Sequence, residues 1–270
     1  MPDSQPARYT HGHHEAVLRS HRWRTVENSA AYLMPHLRPG TSVLDVGCGP
    51  GTITLDFANR VNPGHVIGID VAPAAIEAAD AERGNLASSN VEFRTADLYA
   101  LEYPDDTFGV VHAHQVLQHL TDPVRALREM RRVCTPGGIV AARDSDYAAF
   151  TWYPGDPVLD AWLAMYDTVA RINRGEPNAG RFLLAWTHAA GFTDVQAGAS
   201  TWCFATPEDR EWWGGLWADR VTESAIATQA VEIGAATEAQ LREMADAWRH
   251  WAAEPDGWFA VLHGEILARA

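Results

Sequence analysis

The segment VLDVGCGPG, residues 43 to 51, constrains this chain more than any other. A short apolar run of strand length leads directly into glycines at 47, 49 and 51, and a helical stretch from about Thr52 to Arg60 follows. Glycine has no Cβ, so the backbone can turn sharply out of the strand and pass close to a ligand. The N–H groups that open the next helix then point at that ligand. The spacing is GxGxG, whereas dinucleotide folds use GxGxxG. Asp45 precedes the first glycine by two positions, where a carboxylate suits an ammonium-bearing ligand better than a pyrophosphate.

Around this segment the pattern alternates. Val26, Ala30, Leu33 and Leu37, three or four residues apart, predict a helix ending between Pro35 and Gly40. HVIGID, VEFRTAD, FGVVHAHQ and IVAARDSD read as further strands, separated by a helix opening at Pro73 and another opening at Asp122 and Pro123. Five strand and helix alternations imply an α/β fold with a parallel sheet covered on both faces. PVLDAWLAMYDTVARI and LLAWTHAAGF then predict two helices, TDVQAGASTWCF a long strand, and Thr206 to about Ala253 a helical region. Thr206-Pro207 opens that region, and Thr237 with Gln240 forms a capping-box pattern inside it. The last run, from Gly257, fits strand or helix, and its first half reads as strand.

Two more acids stand at strand ends. Asp70, with Val71 after it, closes the second strand and can accept from the vicinal hydroxyls of a ribose. Asp97, followed by Leu98, closes the third and can accept from an exocyclic amine while the next N–H meets a ring nitrogen. Taken singly, each acid also suits a helix cap or turn. VLDVGCGPGTIT, VIGIDVAP, FRTADLYALEYPDDTFGVVHAHQVLQHLTDP and RVCTPGGIVAARD together resemble the class I S-adenosylmethionine-dependent methyltransferases, in the branch of the ubiquinone and menaquinone enzymes and many tailoring enzymes.

That resemblance implies a Rossmann-like seven-stranded sheet, mostly parallel with an antiparallel last strand, helices on both faces, and a helical insertion between the last two strands. It also implies S-adenosylmethionine as cofactor, with S-adenosylhomocysteine as product. Asp45, Gly47, Gly49 and Gly51 would bind its methionine and ribose portion, Asp70 and Val71 the ribose, Asp97 and Leu98 the adenine, with main-chain contact at His114. Residues 25–206 and 255–270 would form the cofactor-binding domain, with 1–24 and 207–254 as lid segments. Tyr9, Arg24, Tyr147, Arg181, Trp213 and Trp217 are the candidate substrate and lid residues. His119 and His114 are candidate general bases, with Asp144, Asp146 and Tyr147 as alternatives.

A net charge of −14 disfavours nucleic-acid and anionic membrane partners. The tryptophans of the helical insertion, Trp212, Trp213, Trp217, Trp248 and Trp251, point to a small, apolar or aromatic acceptor as the expected substrate. Three cysteines without CxxC spacing, a polar start and no apolar run of membrane length fit a soluble cytoplasmic protein. His112 with His114, and His11 with His13 and His14, lack carboxylate or cysteine partners at ligand spacing, so no metal is expected. Two other readings remain: an NAD-type dehydrogenase, which shares the strand and glycine opening, and a cofactor-binding scaffold that transfers no methyl group.

Overall fold

The computed structural model describes residues 15–86 and 89–270. The helices α1 (Glu15–Arg22) and α2 (Val26–Ser29) precede β1 (Val43–Val46), α3 (Thr52–Val61), β2 (Val66–Asp70), α4 (Pro73–Leu86) and β3 (Val91–Thr95). Next come β4 (Phe108–His114), α5 (Pro123–Val133), β5 (Cys134–Ser145), β6 (Thr151–Tyr153), α6 (Pro157–Ile172) and α7 (Leu183–Ala189). The chain ends with β7 (Val195–Phe204), α8 (Pro207–Glu223), α9 (Ala225–Glu232), α10 (Glu238–Ala253) and β8 (Trp258–Arg269).

One sheet runs in the order β3-β2-β1-β4-β5-β8, with β7 on the far side of β8. Strands β1 to β5 pair in parallel, and β8 is antiparallel to every strand it touches. The sheet has eight strands where seven are expected. The extra one, β6, covers only three residues and pairs with Trp258 to Ala260, continuing the edge of β8 that β5 pairs with further along. Pairing on both edges keeps the whole terminal run extended, which resolves its strand or helix ambiguity.

The helix expected over 26–37 is instead one α-turn followed by a 3₁₀ turn from Ala31 to His36. Pro35 has no N–H to give to the carbonyl four residues earlier, so α geometry cannot run through it. The apolar stripe survives the change, with Val26, Ala30 and Leu33 fully buried.

Helix α6 joins α8, α9 and α10 in an aromatic layer over the β7 and β8 side of the sheet. Trp162 meets Trp217 at 4.5 Å and Trp248 at 4.8 Å, both edge-on, and all three are buried. Each such indole removes roughly 200 Å² from water, on the order of 5 kcal/mol of gross stabilisation. None of the helices among the described residues is long and apolar enough to cross a membrane.

Candidate active site

A cavity of about 590 Å³ opens over the C-terminal ends of β1 to β4, roofed by Ser20 to Arg24 and by α8. Open α/β sheets bind ligands at this edge. The glycine loop forms one wall. Gly47, Gly49 and Gly51 have φ of 64°, 54° and 82°, a region from which side chains are largely excluded. Gly47 and Gly49 line the cavity. Gly51, expected beside them, does not; it opens α3, and a Cβ there would lie 2.6 Å from the Phe93 ring, so this glycine permits helix-to-sheet packing.

Asp45, Asp70, Val71, Asp97 and Leu98 line the same wall. Asp70 is fixed by its backbone neighbours: Gly49 N–H donates to Oδ2 at 3.1 Å and Ala72 N–H to Oδ1 at 3.0 Å. Asp97 accepts from Tyr99 N–H at 2.9 Å, so it caps a short turn while still facing the cavity. Asp45 is more constrained than its spacing suggests. Thr54 Oγ1 donates to one of its oxygens at 2.5 Å, and His112 Nδ1 lies 2.7 Å from the other. Of the histidine pair on β4, His112 thus serves Asp45, and no cluster suited to a metal occurs among the described residues.

Arg24, His114, His119, Tyr147, Trp213 and Trp217 also line the cavity. Burial pushes His119 down to about 4, with Arg24 adding to the effect, so it is neutral at physiological pH. The Gln118 amide lies 3.1 Å from its Nε2. Burial likewise holds His114 well below the usual histidine range, and Arg24, Arg143, His263 and His112 push the same way. Neither ring nitrogen of His114 has a hydrogen-bond partner among the described residues. Tyr147 stacks on Tyr166 at 3.9 Å.

Arg181, Asp146 and Asp144, all expected at the site, lie off the cavity wall. Arg181 grips Asp146 with two bonds of 2.6 Å and stays off the cavity wall, which removes both from contact with a ligand there. Asp144 is fully buried below the wall, accepts from Gln118 N–H at 3.2 Å, and is pushed up to about 7 by burial. Tyr9, like His11, His13 and His14, falls outside the described residues.

A family model described as a methyltransferase domain matches residues 37–206, the span carrying the glycine loop and all three strand-end acids. The chain is a class I S-adenosylmethionine-dependent methyltransferase. An uncharacterized methyltransferase of Schizosaccharomyces pombe is 35% identical over 270 residues, covering 96% of this chain and 95% of its own. The methyltransferase ltbC of Aspergillus luteorubrus, which is named as a probable one, is 30% identical and covers 98% of each chain. Among solved structures, the YcgJ protein of Bacillus subtilis superposes with a TM-score of 0.58 at 21% identity, covering 90% of this chain and 98% of its own, a likeness of fold.

This methyltransferase presents a cavity wall suited to that cofactor. A Cβ on Gly47 would lie 2.4 Å from Val116, so only glycine keeps the loop this close to its neighbour. Thr52 and Ile53 bring the start of α3 to the wall, and the Asp70 carboxylate is aimed by two N–H groups. Lining residues that the sequence does not single out include Gln115, Ser145, Phe150, Trp202, Val261 and Arg220. Gln115 has a φ of 54° just beyond β4; its Oε1 accepts from Arg24 at 2.7 Å and its Nε2 lies 2.9 Å from His263 Nε2. Trp202 and His263 come from strands over 80 residues beyond Gln115, so no local spacing announces them.

Proposed function

We propose that this methyltransferase alkylates a small, apolar or aromatic metabolite in a compartment shielded by the described N-terminal residues around Ser20, His21 and Arg24 and by the helical segment 207–254. The observation carrying this reading is the cavity wall opposite the strand-end acids, built from Tyr147, Phe150, Trp202, Trp213 and Trp217. A wall of rings selects flat, apolar surfaces, and the polar groups set among the rings, such as His114 and Arg24, orient them. The net charge of −14 supports a small molecule over a nucleic acid.

Under this reading Asp70 holds the ribose hydroxyls, Asp97 and the Leu98 N–H hold adenine, and the turn at Gly47 and Gly49 makes room for the methionine chain near Asp45. S-adenosylmethionine supplies a methyl group activated on a positively charged sulfur. The protein's own contribution is alignment and exclusion of water, since neutralising a charge in the transition state is favoured in a dry site. Orientation of the two reactants is worth several of the roughly 7 to 11 kcal/mol that proximity can supply. His114 and His119, both uncharged at neutral pH, are proton acceptors on the wall.

The test is transfer of radiolabelled methyl from the cofactor into fractionated metabolite pools. Label is expected in apolar aromatic fractions. Label confined to hydrophilic amines, or entering nothing while the cofactor binds, would replace this reading with another acceptor class or with a scaffold.

A further inference from the structure

Charge is divided across the cavity. Among the described lining residues the carboxylates are Asp45, Asp70 and Asp97, all at the tips of β1 to β3. Arg125 and Arg174 also line the cavity, Arg125 over Tyr99 at 4.9 Å beside the Asp97 turn. The aromatic half carries arginines without a lining carboxylate: Arg24 spans from Gln115 toward the Trp202 face at 5.8 Å, and Arg220 lies over Trp217 at 5.1 Å. Between these arginines and the acids stands His114, 5% exposed, with both ring nitrogens unpartnered among the described residues. A buried polar group left without a hydrogen bond costs about 1–3 kcal/mol, so such a group on a cavity wall is suited to a ligand that completes it.

The groups packed around the ring define what that ligand is. Trp202 lies 5.7 Å from it, His263 stacks at 6.2 Å, and Arg143 is its register partner on β5. The carboxylate of this layer, Glu265, is taken up by Arg143 at 3.1 Å and by Ser200 at 2.5 Å. An ammonium group placed here would meet Arg24 and Arg143. The one nearby carboxylate with an oxygen unpartnered among the described residues, Asp144, is off the cavity wall and pushed up to about 7 by burial, so it offers little counter-charge. A hydroxyl, by contrast, can donate to an uncharged imidazole and its oxyanion is favoured by the arginines.

We propose that the methyl acceptor is an oxygen acid on an aromatic or conjugated ring, a phenol or enol, whose hydroxyl docks on His114 with Arg24 stabilising developing negative charge. This rests on the reading of the cavity as the methyl-transfer site. The acceptor oxygen's lone pair forms the new O–C bond while the C–S bond breaks and its electron pair stays on sulfur. The hydroxyl proton passes to a ring nitrogen of His114 and then to solvent. That transfer becomes favourable as the O–C bond forms, because an alkylated oxygen that still holds its proton is strongly acidic, and a weakly basic imidazole suffices.

The test uses calorimetry and absorption on the full chain saturated with S-adenosylhomocysteine, with 4-nitrophenol and 4-nitrobenzylamine as probes. The phenol is expected to bind about tenfold or more tightly than the amine, and to ionise about one unit lower when bound, seen as phenolate absorption. His114→Asn is expected to weaken the phenol about tenfold; its expected cofactor contact is through the main chain, so any change in S-adenosylhomocysteine affinity is expected to be far smaller. Arg24→Gln is expected to abolish the shift in ionisation. Should His114→Asn fail to fold, the Arg24→Gln comparison and the two wild-type probes decide the matter. Equal or tighter binding of the amine, no phenol binding, or an unshifted phenol would overturn the proposal. Failure of S-adenosylhomocysteine to bind would instead overturn the underlying reading of the cavity.

Discussion

A carboxylate held by two backbone N–H groups has little freedom left to lose when a ligand arrives, and Asp70 is in that condition, bonded to Gly49 and Ala72. Each of its oxygens keeps a further lone pair for a hydroxyl donor. Asp70→Ala is expected to weaken cofactor binding by about tenfold or more, as hydrogen bonds to a charged group are worth about 1.5–3 kcal/mol each. Titration calorimetry with S-adenosylhomocysteine measures this, and an unchanged affinity would remove Asp70 from the binding site. At the same scale, Asp45 shows where spacing alone is insufficient. Its place before the glycines is readable, but that His112 and Thr54 each engage one of its oxygens follows from β1, β4 and α3 coming together.

Elements end where local chemistry says so, and this is why most boundaries were readable. Thr206 and Thr237 each accept from the backbone N–H three residues on, with Asp209 and Gln240 answering to the cap backbone. Thr237→Ala is expected to destabilise the protein by about 1 kcal/mol, read by urea denaturation, with cofactor affinity unchanged. A loss near zero would mean that packing of α10 against α8 holds the helix start without its cap. Elements whose form depends on distant partners were not readable in the same way. Three residues of β6 carry no strand signature of their own; the edge of β8 makes them a strand. Pro35 turns a helical stripe into a 3₁₀ segment without disturbing which residues are buried.

Among the described residues of the whole molecule, burial lowers His114, His119 and His263 and so keeps them neutral, His119 being brought from 6.5 to about 4. Between those pH values the unfolded chain binds protons that the folded one refuses, so stability is full above about pH 6.5 and falls as the pH drops toward 4. Asp144 acts in the opposite sense. Raised from 3.8 to about 7, it binds a proton in the folded state first, and this favours folding as pH falls through the same window. The lowered Glu27, Glu92 and Glu129 act with the histidines and the raised Asp56 with Asp144. The melting temperature is therefore expected to be lower at about pH 4.5 than at about pH 7, and scanning calorimetry checks it. A rise instead would show that Asp144 and Asp56 outweigh the others.

The strand-and-helix alternation, the glycine turn and the acids at the tips of β1 to β3 were determined by the sequence alone, because each depends on neighbours within a few residues: periodicity, capping and backbone freedom act locally. The tertiary structure decided which of those groups remain available. Asp45 is tied to His112, Gly51 is spent on Phe93, and Arg181 is held by Asp146. It also placed Trp202 beside His114, and Arg220 in the same cavity wall. The contact between Gln115 and His263 joins residues 148 positions apart, and closure of the sheet between β5, β8 and β7 brings them within bonding distance.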